Sequence, residues 1–245
     1  MPDGLTGSAA VVVTTTRVTD PGDLLHQLPS PAASAWIHHG DGLVGCGEAA
    51  RLTLPAGVDR FAAGEKWLTE LFDAADVTDE VAVPGTGPVA FGSFTFDPAS
   101  EGSVLIIPRV ILGRRSGTAW RTTIRTGVAQ PESRPARWVS PSELRWSDGS
   151  LTAPEWEQAV AAAVARITAG ELRKVVLARD LRAQSSGAID TRVLLSRLAA
   201  RFPGCYAFAC AGLVGATPEL LIRRDGSRVS SLVLAGTMAR GGTEA

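Results

Sequence analysis

The sequence predicts a mixed α/β (α+β) fold in which sheet dominates, and three observations predict it. Short runs rich in Val, Ile, Thr and aromatic residues recur between Gly- and Pro-containing turns, as in strands joined by tight connections. A few longer stretches instead space their apolar residues for helices. Hydrophobic residues are 45% and charged residues 20% of the 245 positions, so the chain can bury a core and is neither disordered nor membrane-like in composition.

Residues 9–16, mostly Val and Thr, read as a strand, and Asp20-Pro21-Gly22 turns the chain into a short helix around Leu24 to Leu28. Trp36 to His39 and Leu43 to Gly45 form a hairpin about Gly40-Asp41-Gly42. Gly45 to Arg51 has two glycines and no Lys-Ser/Thr, so it reads as a strand-ending turn, not a phosphate loop. From Val58 to Phe72 the positions Phe61, Trp67, Leu68, Leu71 and Phe72 have helical spacing, and residues 84–88 then break the chain. Val89 to Phe96 and Val104 to Ile107 read as strands, and Val110 to Ile124 as a hairpin across Arg114 to Thr118.

Residues 127–151, rich in Pro, Ser and Arg, suggest a connection. A border near 150 would separate a sheet-rich part, 1–150, from 151–245, the two forming one structural domain. Thr152-Ala153-Pro154-Glu155 is a capping-box pattern, and Trp156, Val160, Val164 and Ile167 give the helix after it one apolar face. Lys174 to Arg179 (KVVLAR) reads as a strand buried on both faces, on which that helix should pack. Thr191 to Arg201 reads as a further helix, and 205–210, 220–224 and 228–234 as strands.

The formal charge is −1, from 24 basic and 25 acidic residues, and no Lys/Arg run exceeds a pair. No nucleic-acid partner is expected. Neither a secretory signal nor an apolar run of about 18 residues is found, so a cytoplasmic protein without a membrane partner is expected. Cys46, Cys205 and Cys210 suit neither a disulfide framework nor zinc, and His26, His38 and His39 do not suggest a metal site.

Lys174, opening an apolar strand, would have its ammonium form disfavoured by desolvation, which makes a lysine usable as a general base. From the position alone, a strand-end lysine reaching solvent is the plainer reading. Glu219 follows a Gly-, Thr- and Pro-bearing turn ahead of Leu220 to Ile222, where burial would make a carboxyl a proton donor; a solvated strand-end glutamate is the plainer reading. Gly236 and Thr237, after Leu234-Ala235, could offer backbone N–H groups and a hydroxyl to a carboxylate, or form an ordinary turn.

KVVLAR at 174–179, GATPELL at 215–221 and LAGT at 234–237 occur in that order, and together they resemble the chorismate-utilising enzymes. Residues 40–45 and 87–92 also resemble the amino-terminal part of actinobacterial isochorismate synthases. The resemblance implies layers of large, mainly antiparallel sheets with outer helices. It implies an isomerase, with Lys174 as the base that activates water for attack at C2 of chorismate. Glu219 would be the acid at the C4 hydroxyl, and Gly236 and Thr237 would contact the substrate. Thr217 stands where serine is commoner in the family. A salicylate synthase would share Lys174 and Glu219, and an inactive remnant is the reading from another class. Mg²⁺ is implied as cofactor, with ligands in a family segment beyond residue 245, so no metal ligand is assigned here and a truncated chain is expected. Chorismate is the expected small-molecule partner, and the protein is expected to be a monomer in menaquinone or siderophore biosynthesis.

Overall fold

The structure, a computed structural model, describes residues 11–127, 136–141 and 143–234. Its chain falls into two compact units, Met1–Trp138 with Thr191–Ala245, and Val139–Asp190. The border expected near 150 therefore lies inside the second unit, and the chain returns to the first unit after it.

The first unit holds strands β1 (Val11–Val18), β2 (Ser34–His38), β3 (Asp41–Cys46) and β4 (Ala50–Thr53), then helix α1 (Arg60–Asp73). It continues through β5 (Asp76–Asp79), β6 (Phe91–Ser93), β7 (Val104–Ile107), β8 (Val110–Arg115) and β9 (Thr118–Thr126). The second unit contains β10 (Arg145–Asp148), α2 (Ala153–Thr168) and β11 (Leu181–Gln184). Helix α3 (Thr191–Arg201) and strands β12 (Tyr206–Cys210), β13 (Leu213–Thr217), β14 (Leu220–Asp225) and β15 (Arg228–Leu232) complete the first.

Eight strands form one sheet in the order β13-β12-β2-β3-β8-β9-β1-β5. Every neighbouring pair is antiparallel except β1 with β5. The predominance of antiparallel sheet matches the sequence expectation. Three of its hairpins turn through two residues of positive φ: His39-Gly40, Ser116-Gly117 and Ala211-Gly212. Such turns carry the twist of the flanking strands, and glycine takes the second position without steric cost. The first lies one residue earlier than Gly40-Asp41-Gly42 suggested.

Side chains alternate between the two faces of a strand, and register carries each face across the sheet. One face runs from Val11 and Val13 through Ile124 and Ile111 to Leu43, Trp36 and Phe208. Over its β1 side pack Trp67, Leu68, Leu71 and Phe72 of α1, with Ile107 from the three-stranded sheet β4-β7-β6. The opposite face presents Ala35, Ile37, Val44, Ala207 and Ala209, covered by Leu24, Leu25 and Leu28 of a short 3₁₀ turn and by Leu195 of α3. Helices thus cover both faces, as the layered expectation required. Arg192 is a polar member of the interior, 2% exposed. Its guanidinium donates to the carbonyls of Leu28, Ala136 and Arg137, so a charge taken from water finds acceptors in segments far apart in sequence.

Two expectations fail in the second unit. Residues 174–179 form no strand and are exposed, Val176 at 91%. Helix α2 forms as expected, with Glu155 accepting the backbone N–H and the hydroxyl of Thr152. None of its residues is buried, however, and Val160, Val164 and Ile167 face solvent. An apolar run specifies a buried strand only when neighbouring strands lie on both sides, and among the described residues the second unit's sheet is just β10 paired with β11.

Candidate functional site

The covering of the large sheet leaves a gap beyond α1, where β12 and β2 carry their aromatic residues. A cleft of about 430 Å³ opens there, lined by Trp36, Leu43, Phe91, Phe94, Phe208 and Cys210 among others. Its walls are mainly apolar. Trp36 stacks against Phe208, with ring centroids 6.1 Å apart, and lies 5.4 Å from Tyr206. His38 stacks on Tyr206 with ring centroids 4.1 Å apart. These rings share one face because Trp36 pairs with Phe208 in register and alternate residues point the same way. Burial first, and the neighbouring His39 second, push the His38 pKa down against the opposing carbonyl of Gly204.

The sequence readings passed over this aromatic row. Its signal was present in Trp36 and His38, and in Tyr206 and Phe208, each pair two residues apart on a strand.

Register continues the same face onto β13, where Thr217 lies opposite Tyr206. Pro218 follows, and then Glu219, whose backbone N–H donates to Thr217 Oγ1 at 3.2 Å. Its carboxylate Oε1 accepts the N–H of Leu234 at 3.1 Å. Glu219 is exposed, not buried as a proton donor was expected to be. Lys174 is exposed too and belongs to the second unit, in keeping with the solvent-reaching reading of its position and not with the sheltered one. Gly236 and Thr237 lie outside the described residues.

Two of the three thiols, Cys46 and Cys210, are poor nucleophiles. Burial pushes the Cys46 thiol above its ordinary pKa, against the pull of Arg121 and Arg109, and burial likewise raises Cys210. Both stay protonated at neutral pH. Among the described residues no group of three or more His, Cys, Asp or Glu side chains converges to hold a metal ion. Mg²⁺ favours several hard oxygen ligands, and the described residues present no such set. No helix among them is long and apolar enough to cross a membrane.

Comparison with known proteins adds to this geometry. The family model described as "Chorismate binding enzyme" matches residues 7–245. The isochorismate synthase EntC of Escherichia coli is 37% identical over 175 residues, covering 68% of this chain and 41% of that protein. The isochorismate synthase MenF of Bacillus subtilis is 31% identical over 187 residues, covering 64% of this chain and 40% of that protein. Among solved structures, the menaquinone-specific isochorismate synthase MenF of Escherichia coli superposes with a TM-score of 0.61 at 19% identity. That match covers 88% of this chain and 52% of the other, and it shows a shared fold. The chain spans about two fifths of the length of the curated relatives it matches.

Proposed function

We propose, from the premise that this chain belongs to the chorismate-binding enzyme family, that it serves the conversion of chorismate to isochorismate. The observation that carries the reading is the 37% identity to an isochorismate synthase, in a chain that has lysine at 174 ahead of Val175-Val176-Leu177.

In this reading Lys174, as its free amine, takes a proton from water as the oxygen attacks C2 of chorismate. Both conjugated double bonds of the ring shift, C1=C2 to C1=C6 and C5=C6 to C4=C5, and the C4 hydroxyl departs. Glu219, protonated, donates to that hydroxyl, which leaves as water, so one water enters for each that leaves. Gly236 and Thr237 hold the substrate through backbone N–H groups and a hydroxyl. Both groups are exposed in the structure, so this reading requires chorismate itself to take water away from each. Mg²⁺ would screen the substrate's carboxylate charge, and none of its ligands is assigned to a described residue. A cytoplasmic role directed to menaquinone or a siderophore belongs to the same reading.

Chromatography of chorismate incubated with the purified protein and Mg²⁺ tests it. An isochorismate peak is expected, with turnover reduced at least about a hundredfold in Lys174→Ala and in Glu219→Gln. Chelation of the metal should abolish the peak and added Mg²⁺ restore it. Undiminished turnover in Lys174→Ala would sink the assignment of the base. Salicylate with pyruvate, in place of isochorismate, would make the protein a salicylate synthase.

A further inference from the structure

The end of β13 contains a small hydrogen-bonded bracket whose parts the reaction itself does not name. Thr217 is the last residue of that strand, paired in register with Tyr206. Pro218 has no N–H and a fixed φ, so the first donor after the strand is the N–H of Glu219, and it goes to Thr217 Oγ1. On the other side, Leu220 pairs with Leu232, and the Ser231 hydroxyl donates to the Leu220 carbonyl. Just beyond that pair the Glu219 carboxylate takes the N–H of Leu234. A side chain thus stands where a main-chain acceptor would continue the ladder.

We infer that Thr217 is a positioning residue: its hydroxyl fixes the backbone of Glu219, and Glu219 in turn fastens the chain at Leu234. The inference rests on the reading of Glu219 as the acid. A β-branched residue suits the task, because Thr has few rotamers on a strand and its Oγ1 is held toward the turn. The hydroxyl is also a local acceptor for an N–H two residues on, a geometry in which Ser can replace Thr and Val cannot. Glu219 therefore comes to substrate with its main chain already set, and misplacement of a reacting group by as little as about 1 Å is costly to turnover.

The test compares wild type with Thr217→Val, nearly isosteric but without the acceptor, and with Thr217→Ser, which keeps it. Two readouts are taken: hydrogen exchange at the Leu234 amide, which needs no turnover, and kcat and KM for chorismate. In Thr217→Val, Leu234 should exchange about tenfold faster. In the same variant kcat should fall about tenfold while KM stays within about twofold. Thr217→Ser should match wild type in all three. The inference is overturned if Leu234 exchange is unchanged in Thr217→Val, or if Thr217→Ser is as impaired as Thr217→Val, because packing and not the hydroxyl would then be at work. A wild type that forms no isochorismate, while Thr217→Val still speeds Leu234 exchange, overturns the assigned reaction and upholds the positioning.

Discussion

Asp79, at the end of β5, organises the turn that follows. Its carboxylate accepts the N–H groups of Val81 and Ala82 and the hydroxyl of Thr86. These bonds hold Ala82 at φ +53°, a conformation Ala rarely adopts. Burial acts to raise the Asp79 pKa, but the donors at Ala82, Thr86 and Val81 outweigh it and the carboxyl sits below its ordinary value. A carboxyl whose folded pKa is depressed adds stability above its unfolded pKa, and that stability is lost as pH falls through the folded value. Asp79→Asn should therefore cost about 1 kcal/mol near pH 7, and the difference from wild type should shrink below about pH 4. Urea titrations of both proteins at several pH values check this; a difference that grows on acidification would contradict it.

Residue identity alone was a poor guide to environment. The four apolar or small residues after Lys174 leave a sheltered amine and a solvent-reaching one both open, and the solvent-reaching one is what the structure shows, because shelter depends on strands that must arrive from elsewhere in the chain. Arg192 carries no local signal of burial, since a charged helix residue normally faces water. It is buried because three carbonyls from residues 28, 136 and 137 meet it, and no local pattern encodes that meeting.

At the scale of elements, hairpins were the most legible, since turn chemistry and alternation both act within a few residues. The β8–β9 hairpin was placed correctly from Val110 to Ile124. Its interior has a feature alternation does not reveal: Gly113 pairs with Trp120, and a Cβ at 113 would overlap the Trp120 indole. Trp120 is 1% exposed and cannot swing away. Gly113→Ala should thus destabilise the protein by about 1–3 kcal/mol through overpacking, read as a lower urea midpoint, whereas Gly117→Ala should cost about 1 kcal/mol through its positive φ alone. Equal midpoints for wild type and Gly113→Ala would show that the indole has room. Helix α2 illustrates the converse: caps and periodicity are local and were read correctly, while the packing of its apolar face is not local.

The whole molecule is harder to read, because the eight-stranded sheet joins β12 to β2 across some 170 residues of sequence. Nothing in the composition of residues 206–210 names that partner, although the three motifs shared with the family pointed to the same layered architecture. Leu195 ties the late segment to the early one, packing from α3 against Leu24, Leu28 and the sheet. Leu195→Ala should cost about 2–5 kcal/mol, as a fall in unfolding free energy, and a loss under 1 kcal/mol would mean that the site collapses around the missing atoms.

The strand order also dictates a sequence of events during synthesis. Six of the eight strands lie within residues 11–126 and occupy consecutive places from β5 to β2. They can pair as soon as that length has left the ribosome, well before β12 and β13 exist. Until then β2 is an open edge, its N–H and C=O groups bare and Trp36 beside them, and such an edge invites pairing with another chain. The nascent protein is thus most exposed to aggregation while residues 127–205 are emerging from the ribosome, and a chaperone that shields a single strand would serve it best in that interval.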